Sequence, residues 1–274
     1  MKETLTRAIS GIVYVVILLS SIFLYDNSYT FGLLMFLFAG ISCWEFNNLI
    51  DVKNYRAYFQ LVIVGYFTFL AINENNSSQT IFIVLGITTL ITHLFLTLNL
   101  FKLRKISNKS LIHQQLPLLY VILPFSLIAL IPSIIKNTYN PYIILGILLI
   151  IWSNDTFAYL IGKNFGKRKL FEKVSPKKTI EGFLGGLTAG TIVAIILALN
   201  TNSLNIFNWV ILSIIISIFG SIGDLVASKF KREAKIKDSS NLIPGHGGFL
   251  DRLDSLIFIS SFVFLYLQLI NYVS

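Results

Sequence analysis

The chain has 274 residues, of which 55% are hydrophobic and only 13% charged, and its mean hydropathy is +0.75. These values exclude an ordinary soluble domain, in which charged residues make up about a quarter of the sequence. The formal net charge is +9. Membrane topology and attraction to anionic lipid headgroups explain that charge, so we expect no nucleic-acid partner.

Nine apolar stretches are long enough to cross a bilayer as helices. A spanning helix needs about 20 mainly apolar residues, and its backbone hydrogen bonds must close within the segment. In chain order, the stretches lie near residues 9–25, 30–50, 57–73, 80–100, 116–135, 141–163, 180–199, 206–226 and 254–272. We therefore predict an all-α, polytopic integral membrane protein that forms a single domain over residues 1–274.

The first stretch follows Lys2 and Arg7, which is the pattern of a signal peptide. No small-x-small cleavage motif follows Tyr25, so we interpret the stretch as a retained helix. The single cysteine, Cys43, lies inside the second stretch, and we interpret it as a packing residue that leaves the redox compartment undetermined.

The distribution of basic residues predicts the orientation in the membrane. Lys and Arg concentrate in cytoplasmic loops. With the N-terminus in the cytoplasm, every one of the 22 Lys and Arg residues except Lys136 falls on the cytoplasmic side. Because nine spans are an odd number, the C-terminus is then outside.

The two halves of the chain differ in charge. Residues 1–140 are predicted to be mainly scaffold and lipid-facing helices, with Glu45 as one side chain that could line a shared cavity. Residues 141–274 are predicted to be the catalytic half, because most of the acidic side chains lie there. Within 150–255 these are Asp155, Glu172, Glu181, Asp224, Glu233, Asp238, Asp251 and Asp254.

The first motif, residues 154–183, begins in the sixth stretch and ends in the seventh. Asp155 follows a long apolar run, and an ionisable residue at that depth is a functional hypothesis by default. The loop after it can offer several cations to phosphate oxygens; alternatively, it binds lipid headgroups loosely. Its basic residues are Lys163, Lys167, Arg168, Lys169, Lys173, Lys177 and Lys178. Glu181 would match the dipole of the next helix or orient Lys177 or Lys178.

Glycines at four-residue spacing (Gly182, Gly186 and Gly190) predict close helix packing in the seventh stretch. Ser221, Asp224 and Ser228 share one helical face of the eighth stretch, and Asp251 and Asp254 share a face at the start of the ninth. Separated carboxylates of this kind suit Mg²⁺, whereas zinc is disfavoured because His246 stands alone. The alternative is a buried network that pairs Asp224, Asp251 and Asp254 with Lys231, Arg232 and Arg252.

Acidic metal ligands, many cations and no nucleophile with an activating base favour phosphoryl or nucleotidyl transfer, which depends on positioning and charge neutralisation. A transporter would also explain intramembrane carboxylates. Its sign would be paired broken helices or repeated halves, and neither is visible in the sequence.

At this point the sequence resembles a known family. From Ser228 to Asp254 the chain reads S-x-F-K-R-x4-K-D-x-S-x2-I-P-x-H-G-G-F-x-D-R-L-D. This stretch resembles the signature of phosphatidate cytidylyltransferases, and the block from Asp155 to Gly182 is similar to a second region of that family. The resemblance covers roughly residues 140–265. A CTP-dependent polyprenol or phytol kinase, the alternative enzyme, should lack the full signature.

The resemblance implies transfer of CMP from CTP to phosphatidate, which gives CDP-diacylglycerol and pyrophosphate and requires Mg²⁺. The compact chain is more similar to bacterial members. We therefore expect a bacterial cytoplasmic (inner) membrane, an active site that faces the cytoplasm, contacts with membrane lipids, and a homodimer as one assembly to test.

Site roles follow from the same resemblance. Asp224 and Asp251 are expected to hold the metal, with Asp254 or Asp155 in support. The residues expected to bind substrate phosphates are Lys167, Ser175, Lys177, Lys178, Ser228, Lys231, Arg232, Lys237 and Arg252. His246 is expected to shape the turn together with the adjoining glycines and is a candidate donor to phosphate. Asp238 is expected to bind metal or to orient Lys237.

Overall fold

The computed structural model describes residues 2–24, 28–52, 55–73, 79–103, 111–245 and 247–273. These described residues contain nine helical segments that are long and apolar enough to cross a membrane. The prediction of an all-α integral membrane protein with nine spans is therefore confirmed. His246 lies outside the described residues.

The elements follow one another as mostly long helices with short connections. The first four helices are α1 (Lys2–Phe23), α2 (Tyr29–Leu49), α3 (Tyr55–Asn73) and α4 (Gln79–Phe101). A fifth, broken segment contains α5 (Leu111–Leu116) and α6 (Leu123–Leu130). It is followed by α7 (Pro141–Phe165), β1 (Lys169–Phe171), β2 (Ser175–Thr179), α8 (Ile180–Asn200), α9 (Ile206–Glu233) and α10 (Leu250–Val273).

The fifth segment lies at the centre of the bundle and is not one regular helix. It consists of α5 (Leu111–Leu116), a π-helical turn (Pro117–Ile122), α6 (Leu123–Leu130) and a 3₁₀ turn (Ile131–Ser133). A proline opens or closely follows the start of each later part, and proline removes a backbone donor and crowds the preceding turn. In an apolar 18-residue stretch of this segment 83% of residues are buried, compared with 11% in the corresponding stretch of the first span. The helices α2, α4 and α10 pack around it.

The predicted glycine stripe packs α8 closely against α7. A Cβ atom added at Gly182 would lie 2.6 Å from the Ala158 carbonyl oxygen, and one added at Gly186 would lie 2.6 Å from the Asn154 carbonyl oxygen. At Gly190 the nearest atom would be Cγ2 of Ile150, at 3.3 Å. These contacts confirm that the stripe serves packing.

Two features differ from the sequence-based expectation. First, β1 and β2 form a short antiparallel hairpin between α7 and α8, with Lys169 opposite Thr179 and Phe171 opposite Ser175. Strands of three and five residues that carry several lysines show no apolar alternation, so the sequence pattern does not reveal them.

Second, the last two helices extend further than their apolar runs. Helix α9 continues to Glu233, past the predicted end at 226, and α10 begins at Leu250 instead of 254. The prediction stopped where charged residues begin, but helical hydrogen bonding continues through them. As a result Asp224, Ser228 and Lys231 lie on one helix, and Asp251 lies in the first turn of another.

We predict that Gly186→Ala destabilises the α7–α8 pair, because its new methyl group must displace the backbone of Asn154. The expected cost is about 1–3 kcal/mol, as for other overpacked interiors. It would be measured as a lower thermal unfolding midpoint in detergent.

The matched control is Gly40→Ala, where the added Cβ would lie 3.6 Å from Leu61, an ordinary contact. This control should unfold at the same temperature as the wild type or slightly higher, since alanine favours the helix. Equal midpoints for both variants would contradict the close packing at Gly186.

Candidate active site

A cavity of about 760 Å³ lies among α7, α8, α9, α10 and the hairpin, and we call it the polar chamber. Residues far apart in the sequence meet around it. The predicted site residues that line it are Asp155, Lys177, Lys178, Asp224, Lys231, Asp238, Asp251, Arg252 and Asp254. The block around residues 154–183 and the stretch 228–254 therefore form opposite walls of one site.

Other predicted site residues do not line the polar chamber. Ser228 lies behind it and donates a hydrogen bond from Oγ to Asp224 Oδ1 at 3.2 Å. The Arg232 guanidinium donates to the carbonyl of Ile236 at 3.3 Å. Lys167 and Lys237 are exposed, and Ser175 is part of β2.

Asp224 joins α9 to the hairpin. Its Oδ2 atom lies 2.5 Å from Nζ of Lys178, which is carried by β2. Together with the Ser228 hydroxyl, this ammonium group compensates the carboxylate from two different elements. Such pairing keeps a charged carboxylate stable at a site that bulk water only partly reaches.

Asp251 joins α9, α10 and the loop between them. Its Oδ1 lies 2.6 Å from Nζ of Lys231, and both side chains are largely buried. Its Oδ2 accepts from the Ser239 amide at 2.8 Å, the Ser239 hydroxyl at 3.0 Å and the Gly248 amide at 3.0 Å. The carboxylate therefore organises the loop as well as one wall of the chamber.

Asp254 and Asp155 are the less compensated acids. Asp254 is buried, and its Oδ1 accepts from the Ser255 amide at 2.7 Å. Asp155 extends from α7 and is exposed to the chamber. Among the described residues, these two carboxylates have fewer hydrogen-bond and ion-pair partners than Asp224 and Asp251, so their oxygens are available to support a cation bound in the chamber.

The buried network that sequence analysis kept as an alternative exists in part. Lys231 does pair with Asp251, as that alternative proposed. Asp224, however, takes Lys178 as its partner, and Arg232 hydrogen-bonds to a backbone carbonyl instead. Because Lys178 and Lys231 also line the chamber, they serve both structure and site.

The Glu181 side chain anchors the hairpin by binding backbone amides just before β1. It accepts hydrogen bonds from the amides of Lys167 at 3.0 Å and Arg168 at 3.1 Å, and it lies 3.6 Å from the Arg168 guanidinium. The expectation that it orients Lys177 or Lys178 directly is therefore wrong. Instead it fixes the start of the hairpin that carries those lysines.

The glycine-rich turn takes the backbone shape that its composition predicts. Gly245 and Gly247 have φ values of +75° and +86°, which side-chain-bearing residues rarely adopt. The Ile243 amide donates to the Gly247 carbonyl at 2.8 Å, which closes the turn. On its outer side, the Ser10 hydroxyl of α1 donates to the Pro244 carbonyl at 3.0 Å.

A second cavity of about 370 Å³, the side chamber, lies among α1, α7 and α10. It shares Asp155, Asp251, Arg252 and Asp254 with the polar chamber, but many of its other lining residues are apolar. Sequence analysis missed its wall on α1, which includes Ser10 and Tyr14. That wall carries no charge, so nothing in the sequence distinguished it from a lipid-facing surface.

Glu45 does not line the polar chamber, contrary to the expectation. It is fully buried on α2 and accepts hydrogen bonds from the loop before α10.

The site offers oxygen donors of the kind that Mg²⁺ prefers. Within the described residues, no group of three or more His, Cys, Asp and Glu side chains is close enough together to hold a metal by itself. Mg²⁺ commonly takes only one or two protein carboxylates together with substrate phosphates. The carboxylates on α7, α9 and α10 therefore fit this ion in combination with a phosphate substrate.

Fold and site together define an integral membrane protein with a cavity suited to phosphate groups. The family follows from sequence comparison, in which a model of the cytidylyltransferase family matches residues 5–270. The chain belongs to this family, which confirms the resemblance noted from its motifs.

Individual relatives agree with this classification. A phosphatidate cytidylyltransferase from Haemophilus influenzae is 33% identical over 91% of this chain and 93% of its own length. Proteins of the same name from Staphylococcus haemolyticus and Bacillus subtilis are 50% and 43% identical over 42% and 45% of this chain. Those two alignments span 45% and 46% of the relatives, which is about half of their length.

We predict that Lys231→Met destabilises the protein, because it leaves the Asp251 carboxylate with one charged partner fewer in a buried position. Breaking such a pair from one side costs roughly 3 kcal/mol or more. The thermal unfolding midpoint in detergent would measure the effect.

The double variant Lys231→Met/Asp251→Asn removes both charges and should recover part of that loss. A double variant that is less stable than Lys231→Met alone would contradict the ion pair as the cause.

Proposed function

We propose that this protein transfers CMP from CTP to phosphatidate, producing CDP-diacylglycerol and pyrophosphate. The observation that carries the proposal is the meeting of hairpin lysines with carboxylates of α7, α9 and α10 around one chamber, in a chain of the cytidylyltransferase family. The identity of the proposed substrates is taken from the names of the relatives.

Transfer of CMP to phosphatidate requires mainly that the two substrates be positioned and that their negative charge be neutralised. A phosphate oxygen of phosphatidate attacks the α-phosphorus of CTP, a new P–O bond forms, and the bond to the bridging oxygen of the β-phosphate breaks. Pyrophosphate leaves with the electron pair of that bond. The attacking phosphate is already anionic, so no strong general base is needed. Preorganised cations that hold both anions in line supply most of the acceleration.

The chain provides those cations from two sides. Lys177 and Lys178 of the hairpin are proposed to bind the triphosphate and the departing pyrophosphate. Arg252 lines both chambers and is proposed to hold the lipid phosphate between them. The less polar side chamber suits the glycerol and acyl part of phosphatidate, which arrives from the membrane.

Mg²⁺ is the proposed cofactor. Asp224 and Asp251 would hold it, with Asp254 or Asp155 in support, and the ion would neutralise charge on the triphosphate. Lys178 and Lys231 compensate the first two carboxylates. Substrate phosphates would attract these lysines and free the carboxylate oxygens.

The finer details of location are proposals as well. We place the protein in a bacterial cytoplasmic membrane, with the N-terminus and the polar chamber on the cytoplasmic side, where CTP is available. We propose that it acts without nucleic acid, and a homodimer is the assembly to test. Family membership disfavours the polyprenol or phytol kinase and the transporter.

We predict that purified protein supplied with CTP, phosphatidate and Mg²⁺ forms a CDP-lipid and releases pyrophosphate, and that chelation of Mg²⁺ stops both. Asp224→Asn should lower turnover by roughly 100-fold or more, as expected when a charge that organises transferring phosphates is lost. Product formation would be followed with labelled CTP.

The matched control is Asp51→Asn, the same chemical change at an exposed position after α2 that lines neither chamber. It should retain wild-type turnover. No CDP-lipid from the wild type would overturn the function, whereas full turnover in Asp224→Asn would overturn the site assignment.

We predict from the basic-residue distribution that the hairpin and the loop after α8 lie on opposite sides of the membrane. In a Cys43→Ala background, Asn202→Cys should react with an impermeant maleimide added to intact cells. Lys173→Cys should react only in inverted vesicles. The reverse pattern would invert the proposed topology.

A further inference from the structure

Glu45 carries a carboxylate that is fully buried in α2, in the half of the chain that sequence analysis treated as scaffold. A buried charge is costly unless hydrogen bonds or counter-charges compensate it. Its surroundings therefore have to supply donors, and those donors show what the residue holds in place.

Four donors from one loop reach this carboxylate. Its Oε1 accepts from the Ser240 hydroxyl at 2.5 Å and from the Phe249 amide at 3.0 Å. Its Oε2 accepts from the Ser239 hydroxyl at 3.2 Å and from the Leu250 amide at 2.7 Å. The partners thus come from the interior of the connection between α9 and α10 and from its junction with α10.

The two backbone amides lie at the N-terminus of α10, which begins at Leu250. The first amides of a helix have no acceptor within the helix, and a negative charge there is favourable. Usually a residue just before the helix supplies that acceptor. Here a carboxylate from another helix, about 200 residues away in sequence, takes this role.

Ser239 connects Glu45 to the active site. Its hydroxyl lies 3.2 Å from Glu45 Oε2 and 3.0 Å from Asp251 Oδ2, and its amide also donates to Asp251. One hydroxyl proton is therefore shared between two carboxylates. A shift of the loop away from Glu45 would move the donors that hold Asp251.

Gly248 shows how closely the loop is fitted to Glu45. A Cβ atom added at this position would first meet Oγ of Ser239, and it would lie 2.5 Å from Oε1 and 2.7 Å from Oε2 of Glu45. Only a glycine lets the chain pass this near to the two side chains. The position therefore needs glycine because Glu45 and its hydrogen-bond partner Ser239 occupy the adjoining space.

We propose that Glu45 is a positioning residue for the transfer reaction. By fixing Ser239, Ser240 and residues 248–250 against α2, it sets the first turn of α10 and so the placement of Asp251 and Arg252 in the chamber. This role rests on the proposed function of that chamber. Glu45 itself lines neither chamber and so acts only through the loop.

The test is Glu45→Gln, which keeps the size of the side chain but replaces one acceptor oxygen with an NH₂ group. An NH₂ group cannot accept a hydrogen bond, so one of the two backbone amides, Phe249 or Leu250, loses its acceptor. We expect hydrogen exchange in peptides covering 239–251 to rise by roughly 10-fold, with exchange elsewhere unchanged. We expect kcat to fall roughly 10-fold while the KM for CTP changes by less than about 3-fold, because the loss affects positioning more than binding.

Ser42→Ala is the matched control, since Ser42 is equally buried one turn away on α2 and its hydroxyl has no hydrogen-bond partner among the described residues. It should match the wild type in exchange and turnover. Unchanged loop exchange or unchanged kcat in Glu45→Gln would overturn the proposal. Faster exchange throughout the protein, or an equal loss in Ser42→Ala, would also overturn it, because either result indicates a purely structural role.

A second variant, Ser240→Ala, decides the question if Glu45→Gln does not fold. It removes one donor to Glu45 and leaves the carboxylate itself in place. We expect exchange in the same peptides to rise by roughly 3-fold and kcat to fall by roughly 3-fold. No change in either would overturn the proposal. Because exchange needs no substrate, a failure of the proposed function appears separately, as a wild type that makes no CDP-lipid.

Discussion

A carboxylate among membrane-spanning helices must find its donors within the protein, because hydrocarbon supplies none. Three acids in this chain meet that requirement with partners from other elements. Asp224 takes Lys178 from the hairpin, Asp251 takes Lys231 from α9, and Glu45 takes the N-terminus of α10. Each compensated charge thus also links two elements of the fold. Together these links determine the relative positions of the elements that line the polar chamber.

The same pairs explain how a cavity for anions can contain so many acids. Paired with lysines, the carboxylates keep cationic side chains extended into the chamber, where flexible lysines would otherwise spread into solvent. On the proposed function, incoming phosphates compete with Asp224 for Lys178, and the acid that is released can then bind a cation. On the same proposal, substrate binding and cation binding would be coupled through this one ion pair.

Properties that depend on local composition could be predicted from the sequence. Nine spans follow from the length of apolar runs, and the Gly182, Gly186 and Gly190 stripe follows from its spacing. The convergence of Asp155 with Asp224 was indicated by the cost of a charge at membrane depth. The hairpin was missed because short polar strands have no apolar period. The role of Glu45 was missed because its partners lie 194 to 205 residues away, and such pairing leaves no periodic signal.

The glycines of the 228–254 stretch show why that stretch is not an independent unit. A side chain at Gly245 would meet Arg7 of α1, one at Gly247 would meet Asp251, and one at Gly248 would meet both Glu45 of α2 and Ser239. A loop with few apolar residues to bury cannot offset its own ordering entropy. Hydrogen bonds to buried carboxylates and close backbone packing against α1 and α2 offset the rest of this entropy cost. The N-terminal helices therefore shape the polar chamber indirectly, because their contacts hold the loop that carries one of its walls.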